Sequence, residues 1–209
     1  QVEHPITERV VGVDLVKEQI RIAQGEKLKL EQKELSQYGH AIECRIYAED
    51  PEKNFMPSPG EIKHITEPLG LGVRHDGYVY EGYKIPIHYD PMISKLIVWA
   101  RTREEAIDRM KRALYAYKIT GVKTSIPFLA KIMENKNFRR GNYNTHFIEE
   151  NYDFLMEREP CGIRCQDMAV ITALVHYTNK IKEMHPSKNG GKEKNQWKEF
   201  GRKKGVMRL

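Results

Sequence analysis

His40-Ala41-Ile42-Glu43-Cys44-Arg45-Ile46-Tyr47-Ala48-Glu49-Asp50 alternates apolar and polar side chains with a period of two. That period belongs to a half-buried β-strand, with Ile42, Cys44 and Ile46 on one face and Glu43, Arg45 and Tyr47 on the other. Glu43 and Arg45 are then side-by-side neighbours. On the residues alone they form a strand-surface ion pair, worth under about 1 kcal/mol when exposed. The same alternation reads the opening, Gln1-Val2-Glu3-His4-Pro5-Ile6-Thr7-Glu8, as a second strand. Gln1 and Glu3 point one way and Val2 the other, until Pro5 ends regular pairing.

Between these two runs, Asp14 is a good N-cap for a helix over 15–23, whose apolar positions 15, 16, 20 and 23 make one stripe, with Gly25 as the stop. Residues 28–36 are polar and read as a loop or one helical turn. From 61 to 100 the pattern turns to strands, at 61–66, 72–75, 77–80 and 92–100. Turn signals such as Pro57-Ser58-Pro59-Gly60 separate them, and together they imply an antiparallel sheet. Thr102 followed by Glu105 is a capping box, and Ala106, Met110, Ala113, Leu114 and Tyr117 recur behind it at helical spacing, to an end near 119–121. A short strand at 122–123, a helix through 128–133 capped by Ser125, and a last helix over 144–155 complete the body. The fold class is α+β, an antiparallel sheet with flanking helices.

The 209 residues suffice to bury a sizeable core. No apolar run approaches the roughly 20 residues that a membrane-spanning helix needs, and the opening lacks the pattern of a secretory leader. A cytoplasmic location is the expectation. Three cysteines cannot all pair; Cys44 lies on an apolar strand face, where a free thiol behaves as a small hydrophobe. Cys161 and Cys165, spaced C-x3-C with only His176 near them, lack a plausible zinc ligand set, so no metal site is expected in the chain.

Residues 1–155 hold 23 Lys and Arg against 23 Asp and Glu, and residues 156–209 hold 12 against 6, so the whole net charge of +6 sits in the tail. Charge alone does not choose between an acidic partner, nucleic acid and plain solvent as its neighbour. The tail is short and interleaves few aromatics, so nucleic-acid binding is not the expectation. Residues 167–181 read as a helix with a dense apolar block, which calls for a cover. Beyond it, 186–192 have linker composition, and Trp197 is an aromatic anchor.

The opening run, the Glu43-Cys44-Arg45 strand, Pro57-Ser58-Pro59-Gly60, Val73-Arg74, Tyr89-Asp90 and Lys95 stand in an order that resembles biotin carboxylase over about residues 1–155. The resemblance implies the last edge of an ATP-grasp domain at 1–36, a biotin carboxylase C-terminal domain at 37–155, and a helical basic tail with a linker at 156–209. It implies that Glu3 is the general base that deprotonates bicarbonate for attack on ATP, and that Arg45 steadies the oxyanion as biotin is carboxylated. An arginine suits that task because its guanidinium stays charged and presents fixed donors. Gln1 and the Val2 backbone match bicarbonate-holding groups, and Asp90 a position near the cleft. Leu71 and Arg74 match the homodimer interface, and Thr145 and His146 the approach to adenine. His4, a histidine before proline, reads first as a residue that orients the turn.

The implied substrates and cofactors are ATP with Mg2+ or Mn2+, and biotin carried on another protein or domain. A carboxyltransferase subunit would take the product and choose the acceptor. The glycine-rich phosphate loop, nucleotide-binding lysines and metal carboxylates of that family have no counterpart in these residues, so the expectation is a fragment that does not bind ATP productively alone. The competing expectation is a non-catalytic assembly module that uses the Leu71/Arg74 surface and the apolar tail helix.

Overall fold

The computed structural model describes residues 3–157 and 163–184. The chain divides into two compact units, 1–157 and 158–209. In the first, α1 (His4–Val11) and α2 (Leu15–Ala23) precede β1 (His40–Tyr47), β2 (Glu49–Asp50), β3 (Met56–Pro57), β4 (Gly60–Glu61), β5 (His64–Thr66), β6 (Val73–Gly77), β7 (Lys84–Ile85) and β8 (Met92–Ala100). Then follow α3 (Arg103–Ala116), β9 (Lys118–Thr120), α4 (Ile126–Glu134), α5 (Lys136–Arg140), α6 (Phe147–Glu150) and α7 (Tyr152–Met156). In the second unit, α8 runs Ile163–Met184. No described helix is long and apolar enough to cross a membrane.

The centre is a three-stranded antiparallel sheet in the order β1-β8-β6. The middle strand β8 is covered on one face by α3 and on the other by α1, which explains its nearly unbroken apolar text, Met92-Ile93-Ser94-Lys95-Leu96-Ile97-Val98-Trp99-Ala100. On one face Ile42, Cys44 and Ile46 of β1 and Leu96 and Val98 of β8 pack with Ala106, Ile107, Met110 and Leu114 of α3 into the main core. The helical spacing read from the capping box onward is the buried face of α3, and Thr102 Oγ1 accepts from the Glu105 backbone N–H at 3.2 Å. The other face of the sheet carries Arg45, Lys95, Ile97 and Arg74, and α1 lies against β1 and β8 there with Pro5 and Val10 buried.

Several elements depart from the periodicity. The opening is not a strand at Glu3: that residue is extended but serves as the N-cap of α1. Pro5 starts the helix rather than ending a strand, because its fixed φ and missing N–H suit the first helical turn. Residues 78–80 form no strand, so β6 ends at Gly77. α3 stops at Ala116, and the short strand falls at Lys118–Thr120, where it pairs with β5, instead of 122–123. Gly121 makes that turn at φ +101°, and a Cβ on it would collide with the Glu61 carbonyl oxygen. The last helix is two short ones, α6 and α7, and α5 has no signature in the pattern. Ser125 precedes α4 as read, but its side chain does not cap it. Its Oγ accepts from the Tyr47 N–H, and its own N–H donates to the Tyr47 carbonyl, both at 3.0 Å. The pair fastens the end of β1 to the start of α4.

In the second unit, Met168, Val170, Ile171, Leu174 and Val175 of α8 are exposed. The expected linker and Trp197 lie outside the described residues, as does the Cys161 member of the cysteine pair.

Leu96→Ala, in the middle of the central strand, is expected to cost about 2–5 kcal/mol. Denaturant unfolding of the chain measures it.

Candidate active site

Glu3 and Arg45 are 42 residues apart in sequence and in contact: Arg45 Nη2 donates to Glu3 Oε1. Glu3 reaches the sheet because it stands at the start of α1, and Arg45 meets it because it projects from the α1-covered face of β1. Each side chain is 36 % exposed, so the pair sits at the rim of the packed layer.

Two further charges complete the cluster. Lys95 is the cross-strand partner of Arg45 in the β1–β8 register, and its Nζ lies 3.8 Å from Glu3 Oε2 and 3.9 Å from Glu43 Oε1. Glu43 Oε1 is also 3.8 Å from Arg45 Nε. Two carboxylates and two cations thus share one patch. They are not equally solvated: the Glu43 side chain is only 5 % exposed, and among the described residues no N–H donates to either of its oxygens. Burial pushes the Glu43 carboxyl above its ordinary range; Lys95 pulls it back, Glu3 pushes it further up by its charge and by a hydrogen bond between the two carboxyls, and Arg45 opposes. Arg45 is held more firmly protonated than usual by the Tyr47 hydroxyl beside it and by the charges of Glu3 and Glu43, against some desolvation.

A second ion-pair group lies on the same sheet face. Arg74 on β6 donates to Glu8 Oε2 at 2.6 Å and to Asp76, with Nε at 2.8 Å from Oδ1. Its hydrogen bonds to Asp76 and Glu8 keep it charged. α1 is therefore held at both ends, Glu3 to Arg45 and Lys95, and Glu8 to Arg74.

The remaining expected residues stand elsewhere. Gln1 and Val2 lie outside the described residues. Asp90 is exposed before β8, its Oδ1 accepting from the Met92 N–H at 2.9 Å. Leu71 is 91 % exposed, next to Leu69 at 88 %. Thr145 and His146 are exposed ahead of α6, where His146 lies 3.3 Å from Glu149 Oε2. His4 is the first residue of α1. The part played by Lys95 and the burial of Glu43 do not follow from the sequence. A lone lysine inside the apolar run 92–100 is the available signal, but it names Arg45 as its partner only once the register is known.

The family model for the biotin carboxylase C-terminal domain matches residues 43–150, more than half of the chain. This chain belongs to the biotin carboxylase family. A second model, the carbamoyl-phosphate synthase L chain ATP binding domain, matches residues 1–31. Among similar proteins, a pyruvate carboxylase subunit of Methanothermobacter thermautotrophicus is 61 % identical over 150 residues, 72 % of this chain and 30 % of that protein. Biotin carboxylase 1 of Bacillus subtilis is 56 % identical over 155 residues, 74 % of this chain and 34 % of its own length. The biotin carboxylase domain dimer of Hydrogenobacter thermophilus 2-oxoglutarate carboxylase, solved with MgADP, ADP and bicarbonate, superposes with a TM-score of 0.73. It is 50 % identical, and the match covers 76 % of this chain and 35 % of that one. The chain spans about a third of the length of these biotin carboxylase relatives.

The raised Glu43 carboxyl gives a pH test. Between the ordinary carboxylate range and its raised value, the folded protein holds a proton that the unfolded chain has released, so this group withdraws stability as pH rises through that interval. Glu43→Gln does not titrate. Its stability relative to the unchanged chain is expected to increase as pH rises through the interval, checked by urea unfolding on either side.

Proposed function

We propose that this chain forms the carboxylation half-site of a biotin carboxylase, which uses ATP and bicarbonate to carboxylate carrier-bound biotin and feeds a separate carboxyltransferase. The observation that carries the reading is the contact between Glu3 and Arg45. In this reading Glu3 takes the proton of bicarbonate, and the freed oxygen attacks the γ-phosphate of ATP to give carboxyphosphate and ADP. A carboxylate is a weak base and acts only within hydrogen-bond reach of the proton it takes, and Gln1 and the Val2 backbone would hold bicarbonate there. Carboxyphosphate breaks into carbon dioxide and phosphate. The phosphate then removes the ureido proton of biotin, and the biotin nitrogen bonds to the carbon of carbon dioxide. Arg45 steadies the biotin oxyanion, a role for which a permanently charged fork of donors is suited. Protonation of Glu3 releases the arginine from its ion pair, so one step prepares the guanidinium for the next.

The division into 1–36, 37–155 and 156–209 assigns the end of an ATP-grasp domain, the C-terminal domain and a tail. ATP, and the Mg2+ or Mn2+ that accompanies it, would be held by an ATP-binding domain of which residues 1–31 are the part matched in this sequence. Among the described residues no group of three or more His, Cys, Asp and Glu gathers to hold a metal ion, and no step is assigned to one here. Asp90 is given a place at the cleft edge, and Thr145 and His146 one near adenine. A cytoplasmic setting suits the free, buried Cys44 thiol, which burial pushes up to about 12.

A dimer-contact role stands beside catalysis, favoured by the exposure of Leu69 and Leu71 next to the β6 strand that carries Arg74. We assign that surface to a homodimer contact; the Hydrogenobacter relative was solved as a dimer.

In the complete carboxylase subunit carrying this sequence, Glu3→Gln is expected to lower bicarbonate-dependent ATP cleavage and biotin carboxylation by about 10²–10⁴-fold. Arg45→Ala is expected to lower biotin carboxylation by about 10²–10³-fold. Both should leave assembly intact. Unchanged turnover in both variants would favour the assembly module instead. Leu71→Asp is expected to shift the protein toward monomer in sedimentation velocity.

A further inference from the structure

Glu43 contributes nothing evident to the fold that an uncharged residue would not. Its side chain is 5 % exposed, and among the described residues no N–H donates to its oxygens, whose nearest polar company besides the two cations is the Glu3 carboxyl. A buried carboxylate in that condition is a cost, because desolvation is repaid only when the geometry of its partners is excellent. Both of its cations stand beyond hydrogen-bond distance, at 3.8 Å and 3.9 Å. Its placement is nonetheless specific. A single oxygen, Oε1, is approached by Arg45 Nε along β1 and by Lys95 Nζ across from β8. The same two cations meet Glu3 through their other contacts, Arg45 by Nη2 and Lys95 at 3.8 Å.

We infer that Glu43 and Lys95 are positioning residues: the buried carboxylate draws the Nε edge of Arg45 inward, and Lys95 bridges the two carboxylates, so that the Nη2 end of the guanidinium is kept aimed outward at Glu3 and at the oxyanion. This rests on the roles proposed for Glu3 and Arg45 and adds the device that holds them. Charge counting gives it a purpose. With both carboxylates ionised the four groups sum to zero; when Glu3 accepts a proton, Arg45 and Lys95 face only Glu43. One surplus positive charge then appears beside the position where the oxyanion develops. Without Glu43, Arg45 keeps Glu3 and the Tyr47 hydroxyl as partners but loses the inward hold on its Nε edge, and its aim at the oxyanion is lost.

The test uses the complete carboxylase subunit with free biotin as acceptor, comparing Glu43→Gln, Glu43→Asp, Lys95→Met and, as reference, Glu3→Gln. Glu43→Gln is expected to keep or raise the melting temperature, since a buried carboxylate whose cations stand too far off to repay its desolvation is removed. It should lower kcat for biotin carboxylation about 10–100-fold, the scale of a mispositioned catalytic group, while KM for bicarbonate moves less than about threefold. Glu43→Asp should recover part of the kcat, and Lys95→Met should lower kcat in the same sense as Glu43→Gln. A loss of kcat in step with a fall in melting temperature, unrelieved by aspartate, would reduce Glu43 to a structural residue and overturn the inference. So would unchanged kcat in Glu43→Gln and Lys95→Met while Glu3→Gln is inactive. Full activity in Glu3→Gln would overturn the proposed function, and this inference with it. Should Glu43→Gln fail to fold, Lys95→Met decides alone: full activity in that variant contradicts the bridge, and a 10–100-fold loss at unchanged melting temperature supports it.

Discussion

The contact between Glu3 and Arg45 ties the start of α1 to the edge of the central sheet, and the arrangement of the whole face follows from it. A helix of eight residues has little stability of its own. α1 is fixed by burying Pro5 and Val10 and by an ionic anchor at each end, Glu3 on Arg45 and Lys95, and Glu8 on Arg74. Exposed ion pairs are worth little singly. Here they act on a segment already held by apolar burial, and their main effect is direction: they set which carboxylate meets which cation.

The sheet supplies the rigidity that this direction needs. β8, covered on both faces, is gripped between α3 and α1, and its register with β1 sets Lys95 directly across from Arg45. The Ser125–Tyr47 exchange fixes the far end of β1 just beyond Arg45. Strand-borne side chains on a doubly covered sheet hold position better than loop-borne ones. That suits the role proposed for Arg45, whose donors must keep their direction.

Much of this is legible in the residues. The alternation of 40–47 gives the buried Ile42, Cys44 and Ile46 face because a half-buried strand writes its faces with period two. α2 and α3 are legible through their caps, Asp14 and Thr102. The stretches that depart from the pattern are short ones, in which context outweighs periodicity. Pro5 is equally a strand terminator and a helix starter, and only the Val10 burial against the sheet decides between them. β9 lies at 118–120 rather than 122–123 because its pairing with β5, a long-range contact, sets its place. Of the site, the Glu3 and Arg45 roles come through family resemblance. The place of Lys95 and the burial of Glu43 depend on register and on packing by α1, and neither property is local to any stretch of sequence.

The measurement that bears most directly on the coupling of Glu3 and Arg45 is a double-mutant cycle in the complete enzyme, with biotin carboxylation rates for Glu3→Gln, Arg45→Ala and the double variant. Groups that act as one unit give non-additive losses, so the double variant is expected to be scarcely slower than the more damaged single one. Losses that multiply would mean two independent residues, and would contradict the coupling proposed between their successive steps.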